Sequence, residues 1–200
     1  MVATLCALAA GCSPATQEPA ASRPGVLDVV AAENFWGSVA AQIGGAHASV
    51  TSVITNPNAD PHSYEPTAAT ARLLARAQVV VVNGAGYDTW AEKLLAADTG
   101  RRQVVDAGRL LGLGAGANPH LWYDPADVRV VETALVEAFS RLDPADAGYF
   151  HRQRDHFDSI ALHPYHQLVS EIRAKYRGTP VGASESVFAP LASALGLDLV

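Results

Sequence analysis

The sequence predicts an α/β fold built on parallel sheets and arranged as two lobes. From Val26 onward, short β-branched runs alternate with longer amphipathic stretches, which is the pattern of successive βαβ units. Hydrophobic residues make up 49% of the 200 residues and charged residues only 17%, so the chain can bury enough apolar surface to offset its ordering entropy. We therefore expect a globular protein with a sizeable core.

Four strands are predicted in the first lobe, which we place at residues 26–142. Each is nearly all apolar, as expected where helices cover both faces of a parallel sheet. The predicted strands are residues 26–31, 49–54, 79–82 and 103–105. Together with the helices between and after them, they make one complete α/β lobe.

Four helices of the first lobe can be located from their end signals. Their predicted capping or first residues are Asn34, Thr67, Asp88 and Pro125. Gly44 and Gly45 stop the first helix. The buried face of the last helix consists of Val128, Val131, Leu135 and Phe139.

Residues 143–178 form a charged segment without a strand signal, which we interpret as a long linker of one helix or a kinked pair. Pro164 removes a backbone donor there and is expected to kink it. The segment carries His151, His156, His163 and His166. We favour a solvated helix face for these histidines over metal binding by His163 and His166.

Residues 179–200 begin a second α/β lobe. They predict a strand at 181–184, a helix at 186–195 and a strand at 197–200. A strand, a helix and another strand cannot form an independent core, because a lobe normally takes on the order of 100 residues. We therefore expect the second lobe to be truncated at Val200.

Residues 1–25 are predicted to be an export signal and a lipid tether. The apolar stretch 2–11 is far shorter than the roughly 20 residues that span a bilayer, but it suits a signal peptide. Small residues lead into Cys12 as in a bacterial lipobox, and residues 13–22 form a flexible tether. The alternative is a plain secretory signal or a frayed N-terminus. The prediction is thus a lipoprotein anchored through Cys12 outside the cytoplasmic membrane, at the cell surface or in the periplasm.

Charge and cysteine content exclude two classes of function. The net charge is −6 and no run of Lys or Arg is present, so we expect no nucleic-acid partner. Cys6 and Cys12 are the only cysteines, and cleavage before Cys12 leaves no thiol in the folded part for catalysis.

Candidate metal ligands follow three of the predicted strands. His62 lies between prolines in the loop at 56–66, His120 follows Pro119 in the loop at 118–125, and Glu185 follows the first strand of the second lobe. Ligands bind beyond the carboxyl ends of strands in open parallel sheets. Two imidazoles and a carboxylate there form a partial shell for a divalent transition metal. Taken singly, each histidine is more often a surface or capping residue, and Glu185 a helix N-terminal carboxylate.

Other residues near these loops have competing interpretations. The glycines at 83–86 suggest a dinucleotide fingerprint, but Thr89 stands where its third glycine belongs, so we favour a tight turn. Phe35 and Trp36 are core aromatics or walls of a cleft, and we favour the core. Glu65 and Asp124 are candidates to accept the outer N–H of the two imidazoles.

Three motifs carry a family resemblance. Residues 60–66 read DPHSYEP, residues 79–86 read VVVVNGAG with Trp90 after them, and residues 118–125 read NPHLWYDP. Over residues 26–200 the chain resembles the zinc/manganese solute-binding proteins of ABC transporters. The resemblance implies two α/β lobes joined by a long backbone helix, with a metal in the cleft. It implies His62, His120 and Glu185 as ligands, and a late aspartate beyond Val200.

The resemblance also implies a function. A receptor of this kind captures Zn²⁺ or Mn²⁺, delivers it to an ABC permease and catalyses no reaction; we expect a monomer. Glu185 in place of histidine makes the site richer in oxygen, which favours manganese without excluding zinc. The loop at 107–117 lacks the histidines that many zinc-specialised members carry. The alternatives are a metal-dependent hydrolase using the same histidines, although no HExxH motif is present, and a truncated fragment that binds no metal.

Overall fold

A four-stranded parallel sheet forms the centre of the first lobe. The computed structural model describes residues 25–98 and 100–200, so the predicted signal, Cys12 and the tether to residue 24 lie outside the described residues. The strands are β1 Leu27–Glu33, β2 Ala48–Ile54, β3 Val79–Val82 and β4 Gln103–Asp106, in the order β2-β1-β3-β4. All four predicted strands are therefore confirmed, with ends that move by at most two residues.

Eight α-helices lie in the described part of the chain. They are α1 Asn34–Gly44, α2 Ala68–Arg76, α3 Thr89–Ala97, α4 Ala107–Leu110, α5 Pro125–Leu142, α6 Ala147–His156, α7 His163–Tyr176 and α8 Ala189–Leu195. Among the described residues, no helix combines the length and apolar character that a membrane crossing requires.

The two faces of the sheet bury separate clusters of apolar side chains. Helices α1, α5 and α6 cover one face with Trp36, Phe139 and Phe150, which are all 0% exposed. Helices α2 and α3 cover the other face, where Leu74 and Trp90 pack on the sheet. Apolar burial of this kind, about 25 cal/mol per Å², is the main stabilisation of such a layered fold.

The strand order reverses between β1 and β3. The chain leaves β1 to form β2 on one side and then crosses to form β3 on the other side of β1. In open parallel sheets such a switch point opens a crevice at the carboxyl ends of the strands. The start of α1 after β1 and the loops that follow β2, β3 and β4 all lie at this edge, which positions the candidate site.

Three of the four predicted helix starts are confirmed, including Asp88 directly before α3, and the predicted capping role of Asn34 is wrong. Thr67 forms a reciprocal capping box with Thr70, and Pro125 occupies the first turn of α5. Asn34 does not cap α1; it is the first residue of the helix, and Glu33 precedes it in extended conformation. The reason is that β1 keeps pairing with β2 as far as Glu33 opposite Ile54, so the strand runs directly into the helix.

The segment between the lobes is a pair of helices rather than one continuous helix. A π-helical turn at Phe157–Ala161 separates α6 from α7, and Pro164 lies in the first turn of α7, where its missing N–H costs no helical bond. Helix α6 contacts the first lobe, where the Tyr149 hydroxyl accepts a hydrogen bond from the Ala46 amide at 3.0 Å.

The second lobe, as described, contains β5 Pro180–Val181, α8 and β6 Asp198–Leu199, with the two strands parallel. Strand β5 is shorter than the predicted 181–184. Within the described residues it pairs with β6 alone, and the register joins only two residues on each strand. Helix α7 reaches this lobe, and Arg173 donates a hydrogen bond to the Ala194 carbonyl at 3.4 Å.

Candidate metal site

The backbone around His62 is fixed by Asp60. One carboxylate oxygen of Asp60 accepts a hydrogen bond from the His62 amide at 3.0 Å, and the other accepts one from the Ser63 hydroxyl at 3.2 Å. Pro61 between them is buried, while the His62 side chain is exposed. The turn therefore holds its backbone rigidly and leaves the imidazole free to meet a ligand.

The His120 loop is anchored to the end of β3. The Asn83 side-chain amide donates a hydrogen bond to the Pro119 carbonyl at 2.9 Å, which joins this loop to the sheet. Asn118 Oδ1 accepts a hydrogen bond from the His120 amide at 3.1 Å and lies 2.7 Å from Nδ1 of the ring. Asn118, rather than the candidate Asp124, therefore contacts the His120 ring, and Asp124 caps α5 through the Ala126 amide at 2.8 Å. The corresponding role of Glu65 stays a prediction.

Tyr87 brings the two imidazoles together. The centre of its ring lies 4.7 Å from that of His62 and 6.0 Å from that of His120, with edge-to-face angles of 80° and 67°. Tyr87 itself is only 9% exposed. Both rings therefore lie against one buried aromatic side chain. Sequence reasoning missed Tyr87, because no local pattern links it to either histidine.

Aromatic side chains also form a wall beside His120. Trp122 lies 5.4 Å from the His120 ring, and Phe35 stacks on Trp122 at 3.8 Å. Trp36, in contrast, is fully buried and donates a hydrogen bond from Nε1 to Asn83 Oδ1 at 2.9 Å. The favoured interpretation as a core residue is thus confirmed for Trp36, whereas Phe35 contributes to the wall.

The electrostatics of the site favour a neutral His120. Burial, followed by the positive charge of His62, lowers the pKa of His120, and the negative charge of Glu185 opposes that shift. A neutral imidazole offers the lone pair that a metal requires.

The three predicted ligands lie at one edge of the molecule, but their ligand atoms do not form a compact coordination shell. Among the described residues, the one set of three potential ligands whose atoms lie within 4.8 Å of one another is His47, Asp143 and Asp146. That cluster lies at the start of β2, at the opposite edge, and contains a His47–Asp146 ion pair of 2.8 Å. The site with His62, His120 and Glu185 is more widely spaced.

A buried pair of carboxyl groups lies beneath the site at the switch point. Glu33 is 1% exposed and Asp88 0%. Burial, and then the negative charge of Asp88, raise the pKa of Glu33 to about 9. Burial also raises the pKa of Asp88 to about 6, although its hydrogen bonds from the Asn83 and Gly84 amides act in the opposite direction.

The hydrogen bonds to Asp88 also distinguish between the two interpretations of the turn at residues 83–86. The Asp88 carboxylate occupies the amides of Asn83 and Gly84, which a phosphate would need, so the interpretation as a tight turn is supported over a dinucleotide loop. Gly84 has a φ of +67°, and a Cβ there would collide with the Asp106 side chain. The close approach of β4 therefore requires glycine at this position.

Comparison with known proteins gives a consistent result. A family model described as "Zinc-uptake complex component A periplasmic" matches residues 29–200. The manganese-binding lipoprotein MntA of Halalkalibacterium halodurans is 25% identical over 209 residues, which cover 100% of this chain and 68% of MntA. The iron-binding protein YfeA of Yersinia pestis is 30% identical over 179 residues, which cover 84% of this chain and 54% of YfeA.

The fold also matches solved structures. The crystal structure of Zn(II)-bound AdcA from Streptococcus pneumoniae superposes with a TM-score of 0.75 at 21% sequence identity. The match covers 88% of this chain and 39% of the AdcA chain. The similarity shows that the two chains share a fold, and this chain spans 68% of the length of MntA, 54% of YfeA and 39% of the AdcA chain.

Proposed function

This chain belongs to the Zinc-uptake complex component A periplasmic family, and from that membership we propose that it captures a divalent transition metal outside the cytoplasm for an ABC permease. The metal is cargo, taken up at the cleft between the lobes and released when the lobes separate on docking. We propose that no reaction is catalysed; metal-dependent esterase or phosphatase turnover that His62→Ala abolishes would contradict this.

The convergence of His62 and His120 on Tyr87 is the observation that carries the proposal. The two histidines are 58 positions apart along the chain and follow different strands, yet their rings lie against the same buried ring. Because burial and His62 lower the pKa of His120, that imidazole is ready to bind at neutral pH without first losing a proton. Glu185 supplies a carboxylate as the third proposed ligand.

We propose Zn²⁺ or Mn²⁺ as the cargo. The named relatives bind manganese and iron by their names, and the structural neighbour holds Zn(II), so proteins similar to this chain take different first-row metals. The carboxylate of Glu185 beside two imidazoles gives a mixed nitrogen and oxygen donor set, which suits both ions and leans toward manganese. Fe²⁺ is the competing ion that a metal titration should include.

The proposed location follows from the N-terminal sequence and from one relative. MntA is a lipoprotein, and residues 9–12 of this chain have the small residues and cysteine of a lipobox. We propose that Cys12 carries the lipid, that the chain acts as a monomer on the outer side of the cytoplasmic membrane, and that the permease is its partner.

Equilibrium metal titration tests the proposal. We expect His62→Ala and His120→Ala each to weaken Zn²⁺ and Mn²⁺ binding by at least about 100-fold, since even a lost partner of a ligand typically costs 10–100-fold. His156→Ala, at an exposed position on α6, is the matched control and should bind like the wild type. Unchanged affinity in both site variants would refute the proposal.

The choice of metal is expected to depend on Glu185. Replacing this oxygen ligand with a nitrogen ligand in Glu185→His should raise the ratio of Zn²⁺ to Mn²⁺ affinity on the order of tenfold. Competition titrations with both ions measure the ratio, and Glu171→His on the exposed side of α7 provides the control. A ratio equal to that of the wild type would remove Glu185 from the ligand set.

A further inference from the structure

We propose that Asn118 is a positioning residue that sets the tautomer of His120 and ties this ligand to the segment carrying Glu185. The inference rests on the proposed function, because it assigns a role beside the same metal site. Asn118 belongs to the first lobe, and its side chain contacts both the His120 ring and the Ser186 carbonyl of the second lobe.

The partners of Asn118 fix which way its side-chain amide faces. The backbone N–H of His120 can only donate, so the Asn118 atom 3.1 Å away must be the oxygen. The Ser186 carbonyl can only accept, so the Asn118 atom 2.7 Å away must be the nitrogen. Both contacts require the same orientation, and a flipped amide would lose both hydrogen bonds.

That orientation determines the tautomer of His120. Nδ1 of the ring lies 2.7 Å from the Asn118 oxygen, which can only accept, so Nδ1 must carry the proton. The lone pair is then on Nε2, at the far side of the ring from Asn118. Nε2 is therefore the atom of His120 that binds the metal, and Asn118 presents it without itself touching the ion.

The second contact links the two lobes beside the site. Ser186 directly follows Glu185 and begins the turn Ser186–Phe188 that leads into α8. The hydrogen bond from Asn118 to the Ser186 carbonyl thus holds the segment that carries Glu185 in place relative to His120. Any displacement of the second lobe that moves Glu185 must stretch or break this bond, which couples lobe position to the ring of His120.

Imidazole nitrogen NMR of the metal-free protein at pH 8 tests the tautomer independently of metal binding. We expect His120 in the Nδ1–H form in the wild type and in Asn118→Asp, which keeps an accepting oxygen, and a mixture of tautomers in Asn118→Ala. An Nε2–H form in the wild type, or an unchanged tautomer in Asn118→Ala, would overturn the proposal.

The distance between the lobes tests the tie to Ser186. Spin labels are attached at Lys93→Cys on α3 and Ser193→Cys on α8, with Cys6 and Cys12 replaced by serine. Double electron–electron resonance then measures the distance between the two labels. Both Asn118→Ala and Asn118→Asp remove the donor to the Ser186 carbonyl, so both should broaden the distance distribution, whereas Gln167→Ala on α7 should not. A distribution as narrow as that of the wild type in both Asn118 variants would overturn the coupling.

Metal titration then separates this proposal from the proposed function. Asn118→Ala is expected to bind Zn²⁺ about 10–100-fold more weakly than the wild type. Wild-type affinity in Asn118→Ala would contradict the positioning role even if His120 is a ligand. Absence of metal binding by the wild type, together with the expected tautomers, would instead refute the proposed function and leave the orienting role of Asn118 supported.

Discussion

Glu33→Gln is expected to make the protein more stable at pH 8 and to flatten the dependence of its stability on pH. The Glu33 carboxyl is 1% exposed and lies beside the buried Asp88 carboxyl, whose negative charge disfavours a second charge there. Because its pKa is about 9 in the folded state against 4.5 as its ordinary value, the folded protein keeps the proton over a range in which the unfolded chain loses it. The native state thus binds more protons, and stability falls as pH rises.

The expected change in the free energy of unfolding follows from the pH range between the two pKa values of Glu33. Between pH 5.5 and 8 a single such group reduces the free energy of unfolding by up to about 3 kcal/mol, at about 1.4 kcal/mol per pH unit. Asp88 and Glu132, with pKa values raised to about 6 and about 7, act in the same direction up to those values. Glutamine has nearly the same shape and no charge, and its amide can donate to Asp88.

Urea denaturation at several pH values measures the effect. Glu65→Gln, which removes an exposed carboxylate near the same edge, is the control and should leave the slope unchanged. A Glu33→Gln variant whose stability declines with pH as steeply as that of the wild type would show that Glu33 does not titrate as the structure implies.

Asn83→Ala is expected to destabilise the fold by about 2–4 kcal/mol and to loosen the His120 loop. Asn83 is 0% exposed, and its side chain joins the Trp36 indole at 2.9 Å to the Pro119 carbonyl at 2.9 Å. Alanine leaves these groups without their partner, and each buried unsatisfied group costs about 1–3 kcal/mol. Metal affinity should also fall, because Pro119 directly precedes His120.

The matched control is Asn34→Ala. Asn34 lies only 49 positions earlier and is also an asparagine near the end of a strand, but its side chain is exposed. Its replacement should change stability by no more than about 0.5 kcal/mol. Chemical denaturation of both variants measures the difference, and equal stabilities would contradict the structural role assigned to Asn83.

The sequence was a good guide to elements with local signals. Apolar runs located β1 to β4, and Thr67 and Pro125 marked helix starts because capping depends on a few adjacent residues. The prediction that Asn34 caps α1 was wrong because the length of β1 depends on its pairing with β2 rather than on residues near Asn34.

The candidate site was predicted only in part. His62 and His120 are distinguished by the prolines beside them and by their position after strands, so pattern and topology together mark them as candidate ligands. Tyr87 and Asn118 are not, because their roles depend on contacts with residues distant in the chain, such as His62 and Ser186. Likewise, the shared burial of Glu33 and Asp88 arises from the reversal of strand order, which local composition does not reveal.

X-ray absorption at the zinc edge of the metal-loaded protein asks directly whether both imidazoles bind one ion. We predict two imidazoles and at least one carboxylate oxygen around Zn²⁺, with one imidazole lost in either His62→Ala or His120→Ala. A spectrum with no imidazole or only one in the wild type, or an imidazole count that neither substitution changes, would contradict the shared site.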